Sequence, residues 1–217
     1  MKTKFLAAVA FLLAGGQAAA TTISLDFSTL PTAQGWTYFT SGAAESDVFS
    51  VSGGVLSMNG TLTNAAYYKL EGVVDPLLPF IISARARVLS GGQTLAFYAA
   101  TSSEFAAINL SPTRIIDETS AATLATIDNT TFHDYRLEGA FGSGYQLFVD
   151  NTLIASGAVG AYPVNLLLLG DSGSFGGGRA EISAYSFQQS ALIPEPATLI
   201  LVLSGLGVLS SRRRRRT

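Results

Sequence analysis

Residues 80–88 alternate without a break. Phe80, Ile82, Ala84, Ala86 and Val88 take one side, and Ser83, Arg85 and Arg87 take the other. Successive side chains of an extended strand point to opposite faces, so a period of two predicts a half-buried strand. Shorter runs of the same kind recur along the chain between Gly, Asn, Asp and Ser. Gly53-Gly54 separates residues 48–51 from 55–58 as a hairpin would. In residues 133–141, Tyr135 and Leu137 share one face and Asp134, Arg136 and Glu138 the other. A turn at Gly142-Ser143-Gly144 leads to Tyr145, Leu147 and Val149 on an inner face, and Asp150-Asn151 turns the chain again. Residues 165–169 are apolar in sequence after Asn165, which predicts a strand covered on both faces. No long window has helical periodicity. The chain has no cysteine, so burial alone must hold it. The expectation is an all-β fold of about a dozen short strands in two packed antiparallel sheets.

The two ends of the chain read differently. At the front, Lys2 and Lys4, the apolar residues 5–14 and Ala18-Ala19-Ala20 have the order of a signal peptide, with cleavage expected after Ala20. That implies the Sec export machinery and a signal peptidase as partners. At the back, Pro194, Glu195 and Pro196 precede an uncharged run, residues 197–211, closed by Arg212, Arg213, Arg214, Arg215 and Arg216. Prolines block helix on the N-terminal side, and nothing in the run competes with helix after them. As a helix the run would span roughly 22 Å, short of a bilayer core of about 30 Å unless arginine stems and local thinning supply the rest. Basic flanks stay cytoplasmic, so the five arginines are the orienting element and all that precedes Pro194 is expected outside.

This order of triplet, apolar run and arginine cluster resembles the PEP-CTERM sorting signal of Gram-negative bacteria. The resemblance implies an exosortase that cleaves near Pro194-Glu195-Pro196. It also implies an inner-membrane anchored precursor with its domain in the periplasm, then delivery to the cell surface or extracellular matrix. The expected division is residues 1–20 as signal peptide, 21–190 as the folded domain and 191–217 as sorting signal with its transmembrane helix.

Between the two ends, residues 21–193 hold six Lys or Arg against fourteen Asp or Glu, an excess of eight negative charges. Such a surface offers nothing to a phosphate backbone, so nucleic acid is not an expected partner. One histidine and no cysteine exclude thiol catalysis and a zinc site needing several imidazoles.

The stretch "TFHDYRLEGAFGSGYQLFVDNTLIASG", followed by "NLLLLGDSGSFGGGRAEISAYSF", resembles the second half of laminin-G-like, concanavalin A-like jelly rolls, and "LDFSTLPTAQGW" resembles their opening. The resemblance implies a two-sheet antiparallel jelly-roll sandwich whose first and last strands pair, with a carbohydrate- or protein-binding role. It also brings a structural calcium into view, with Asp26 and Asp171 as its carboxylate ligands, although each equally fits a turn or edge aspartate. No other cofactor is expected.

Catalytic patterns are sparse. Jelly-roll glucanases line up carboxylates with Glu-x-Asp-x-x-Glu on a strand, and Glu45-Ser46-Asp47 is followed by Ser50 where the acid would stand. Two solvated loop carboxylates are the expected reading. His133 and Asp134 are neighbours on a strand and face apart, so a structural histidine bonded to a nearby strand or loop is expected. Trp36 is expected to pack over one end of the core. Together these point to a non-catalytic exported protein that associates with exopolysaccharide or other surface glycans. A glycan-cleaving hydrolase and a ligand-free biofilm-matrix protein are the alternatives.

Overall fold

A computed structural model describes residues 20–63, 65–173 and 177–190. Its strands are β1 (Thr21–Leu25), β2 (Thr37–Thr40), β3 (Phe49–Ser52), β4 (Val55–Asn59), β5 (Ala66–Glu71) and β6 (Phe80–Ser90). They continue with β7 (Leu95–Ala100), β8 (Glu104–Leu110), β9 (Arg114–Asp117), β10 (Thr123–Thr126) and β11 (His133–Ala140). The last five are β12 (Gly144–Val149), β13 (Thr152–Gly157), β14 (Gly160–Ala161), β15 (Leu166–Asp171) and β16 (Arg179–Gln189). Helix is confined to one turn, α1 (Glu45–Val48), and to 3-10 turns at Pro31–Gln34 and Gly60–Leu62.

The strands form two eight-stranded sheets, antiparallel at every pairing. The first runs β13-β12-β11-β6-β16-β4-β3, with β1 also on β16; the second runs β10-β9-β8-β7-β15-β5-β2, with β14 on β8. The first and last strands pair, Thr21 opposite Gln189 and Leu25 opposite Tyr185. This is the jelly-roll sandwich expected of the sequence.

The period of two decides which residues lie between the sheets. On β6, Phe80, Ile82, Ala84, Ala86 and Val88 are buried while Arg85 is exposed. Tyr135, Leu137, Tyr145, Leu147 and Val149 are buried as the alternation requires. They meet Leu95, Phe97, Ile108, Leu167 and Leu169 from the second sheet in one continuous core. Each such side chain withdrawn from water contributes roughly 1.5 to 3 kcal/mol. Asp150 and Asn151 both adopt positive φ, 49° and 63°, the turn that matches the twist of a two-residue hairpin. Gly177 lies so close to the Gly60 carbonyl that a Cβ there would overlap it, which ties the start of β16 to the end of β4.

Strand β15 is buried at every position, as its unbroken apolar run predicts. Leu167 and Leu169 enter the main core. Leu166 and Leu168 instead join Ala96, Tyr98, Ala100 and Ala107 in a second cluster on the far side of the sheet. Among the described residues no helix is long and apolar enough to cross a membrane. The expected signal peptide, up to Ala19, and the expected transmembrane helix at 197–211 lie outside the described residues.

Candidate functional site

The outer face of the second sheet has an unusual make-up. Alternation directs Ala96, Tyr98 and Ala100 of β7 outward, with Phe105, Ala107 and Asn109 of β8 and Leu166 and Leu168 of β15. Alanines keep the middle low, and aromatic rings stand around it. Tyr98 stacks on Phe105 with centroids 5.7 Å apart, and Phe105 packs against Tyr162 at 5.5 Å. Farther along, Phe39 stacks on Tyr67 at 4.7 Å and is 43% exposed. Tyr162 is placed by β14, where Gly160 lies opposite Phe105 and a Cβ would strike the Phe105 ring.

A polar cluster closes one end of this face. Glu118 extends β9 by one residue, its N–H donating to the Ala107 carbonyl at 3.2 Å. It therefore shares the outward side with Asn109, whose Nδ2 donates to Glu118 Oε1 at 2.6 Å. Ser172 Oγ, just past β15, lies 3.5 Å from the same oxygen. Strands β9 and β15 are separated by β8 and β7, roughly 14 Å at the usual strand spacing, so Ser172 and Glu118 meet over the strands between them.

Two acceptors near it have no partner: Asn109 Oδ1 on this face, and Asp171 Oδ2 on the inward side of β15, both buried without a hydrogen bond on residues 2% exposed. Asp171 Oδ1 accepts the Gly173 N–H at 2.9 Å. Burial pushes the Asp171 carboxyl up to about 6; the Gly173 N–H opposes that and the Glu118 charge adds to it. Burial and then the Glu118 charge raise the Tyr98 hydroxyl in the same direction. No Lys, Arg or His among the described residues pairs with Glu118.

The outer face of the first sheet carries a groove of about 510 Å³. It lies where β1 ends and β4 begins along β16, and the β16 register slips there between Ile182 and Ala184. Asp26, Arg85, Asp134 and Arg136 line it. Arg85 pairs with Asp134 at 3.0 Å, Arg87 with Glu181 at 2.7 Å, and Arg136 with Glu138. Arg87 sits over the Phe132 ring at 4.8 Å and Arg136 over Phe148 at 4.2 Å. Asp26 Oδ1 accepts both the N–H and the Oγ of Ser28 at 2.9 Å, which holds its carboxyl below the usual range. Every charge facing this groove already has a partner.

The structure does not bring Asp26 and Asp171 together: one follows β1 of the first sheet, the other ends β15 of the second. Among the described residues no three His, Cys, Asp or Glu are grouped to hold a metal ion. Glu45 and Asp47 fall on the single turn of α1 and not in a loop; Glu45 accepts Thr32 Oγ1 at 3.0 Å. Trp36 is 4% exposed and meets Tyr185 edge-on, as core packing requires. His133 turns from Asp134 to Asp150, with Nδ1 2.7 Å from Oδ2, and its Nε2 is 2.9 Å from the Asp128 carbonyl. Pro194, Glu195, Pro196 and Arg212 to Arg216 lie outside the described residues. Sequence reasoning missed Tyr98, Asn109, Glu118 and Ser172. The one usable signal was an asparagine inside the apolar run of β8.

Comparison with known proteins agrees with both halves of this description. A PEP-CTERM protein-sorting motif is matched at residues 192–216. An endo-beta-1,3-glucanase from Pyrococcus furiosus is similar in structure, with a TM-score of 0.54 at 11% identity over 78% of this chain and 94% of that one. A beta-glucanase of Bacillus licheniformis gives 0.51 at 11% identity, over 78% and 98%. A carbohydrate esterase of the Shiga toxin-encoding bacteriophage phi24B gives 0.54 at 14% identity, over 80% and 100%. At such identities the likeness is one of fold. No curated protein sequence matches that of the chain.

Proposed function

We propose that the protein is an exported, exosortase-sorted surface or matrix protein whose sandwich binds glycan without cleaving it. The sorting motif at 192–216 implies exosortase-dependent export. In this reading residues 1–20 are removed after Sec export, 21–190 form the binding domain, and 191–217 anchor the precursor until processing. The named enzymes of like fold act on carbohydrate, which makes glycan the natural ligand class.

The observation that carries the reading is the outer face of the second sheet. Tyr98 is buried at its centre, but the partly exposed rings of Phe105 and Tyr162 and the exposed Phe39 can stack on sugar beside a fixed polar cluster, the usual makings of a binding site. The outward carboxylates of this sheet, Glu118 beside β9 and Glu71 on β5, stand four strand spacings apart, roughly 19 Å. Glycosidases need a pair of carboxyls about 5 to 9.5 Å apart across the scissile bond. Glu118 is instead held by Asn109, and Asp171 takes the interior side of its strand, opposite Ala66. These features favour binding over hydrolysis.

A pull-down of the mature protein with exopolysaccharide from its own host tests this. Binding is expected for the native chain, weakened by Tyr162→Ala and unaffected by Asp134→Asn on the opposite sheet. Release of reducing ends from the same polysaccharide would replace the reading with a hydrolase. Retention of aggregation without any sugar binding would leave only a structural matrix role.

A further inference from the structure

Glu118 poses a problem of charge. It is half-buried, and the groups that fix it, Asn109 Nδ2 and Ser172 Oγ, are neutral. They position the carboxylate without balancing it. Removing a carboxylate from water without a counter-charge is costly, and proteins ordinarily answer with a paired cation. Here there is none among the described residues. The orphaned atom beside it points the same way. Asn109 Oδ1 is an acceptor without a hydrogen bond, on a residue 2% exposed. The cluster lacks positive charge, and it has an acceptor to spare.

The aromatic rings narrow the choice. The Glu118 charge acts on Tyr98, which stacks on Phe105, which packs on Tyr162. Ring faces attract cations and also lie well against the C–H face of a pyranose. A uronate or sulfated sugar would meet Glu118 with like charge. A neutral sugar would satisfy acceptors and leave the charge uncompensated. An ammonium brings three N–H donors, no acceptor and the missing positive charge.

Resting on the glycan-binding reading, we infer that the sugar recognised at Glu118 carries a free amine: the ligand is an amino-sugar polymer with unacetylated units. The ammonium sits against the Glu118 carboxylate, and the ring stacks on the aromatic row beside it. Glu118 thereby selects among glycans that the aromatics alone would not separate.

Calorimetric titration of the mature protein tests this with three oligomers of equal length: glucosamine, N-acetylglucosamine and neutral β-1,3-glucan. The glucosamine oligomer is expected to bind about tenfold more tightly than either other, and the advantage to shrink with added salt. Glu118→Gln keeps an oxygen for Asn109 and is expected to abolish the preference while the acetylated oligomer binds as before. Asp134→Asn removes a like charge from the opposite sheet and is expected to change nothing. Equal binding of all three oligomers, or a preference that survives Glu118→Gln, overturns the inference and leaves glycan binding standing. An equal loss with Asp134→Asn also overturns it, by showing general charge attraction. If no oligomer binds at all, the glycan-binding reading falls too.

Discussion

The two outer faces of this sandwich are built from one backbone pattern and treat charge in opposite ways. On the first sheet three of the four arginines have a carboxylate beside them: Arg85 with Asp134, Arg87 with Glu181, Arg136 with Glu138. Exposed pairs of this kind contribute about 0 to 1 kcal/mol each and mainly keep the surface wet. On the second sheet alanine, leucine and tyrosine bury one another; Glu71 at one edge has Lys69 beside it, but Glu118 at the other has no cation. A face whose charges are answered internally has little left for a ligand. A face with an unanswered charge beside aromatic rings has both a reason and a surface to bind.

The strongest perturbation should ignore this difference, because it strikes the pin between the sheets. Asn129 is fully buried; its carbonyl accepts the Val88 N–H of the first sheet, and its Nδ2 donates to the Ser111 and Arg114 carbonyls of the second. Its Oδ1 accepts the Tyr135 hydroxyl at 2.8 Å. Asn129→Ala leaves that hydroxyl and the Ser111 carbonyl unpaired, while the Arg114 carbonyl keeps the Ser111 N–H, and urea unfolding should show a loss of about 3 kcal/mol.

Leu168→Ala should cost about 2 to 4 kcal/mol by the same measurement, whereas Arg85→Ala should cost less than about 1. Equal small losses would mean that the second face is an ordinary solvated surface, and the contrast would disappear. Asp171→Asn should act in the other direction. An unfolded aspartate titrates near 3.9 and Asp171 is pushed up to about 6, so the folded state holds the extra proton between those values. Stability therefore falls as pH rises through that window and stays lower at neutrality. The asparagine variant should gain about 1 to 2 kcal/mol at pH 7 and lose this slope.

The smallest effect belongs to the first sheet. Both ring nitrogens of His133 face acceptors, Asp150 and the Asp128 carbonyl, an arrangement that favours the doubly protonated ring. Burial opposes the charge, but the Asp150 carboxylate and Asp128 carbonyl outweigh it and raise the pKa. The stabilisation is complete below about 6.5 and is lost as pH rises through the folded value. Melting between about pH 6 and 9 should show Tm declining in the native chain and staying flatter in Asp150→Asn.

The sequence disclosed those strands whose alternation is long or bounded by glycine. β6, β11, β12 and the β3–β4 hairpin lie within a residue or two of where the pattern put them. It was silent on β2, β5, β9 and β10. "TYFT" and "TLAT" are too short to show a period, and β5 holds two adjacent tyrosines that face opposite ways, Tyr68 inward and Tyr67 outward. The polar cluster was hidden for a different reason. Asn109, Glu118 and Ser172 come from different strands, and only the order β9-β8-β7-β15 brings them to one end of one face. Asp26 and Asp171 were legible as aspartates at strand ends, but spacing carries no information about which sheet each strand joins.

The pairing of Thr21 with Gln189 puts the first and last strand residues of the described domain on one rung of the same ladder. The domain thus hangs from a single pole, as a lantern does, and presents its sides and far end to whatever surrounds it. The last rung is complete at Gln189, so a cut anywhere beyond it keeps every described strand and opens no fresh edge among them.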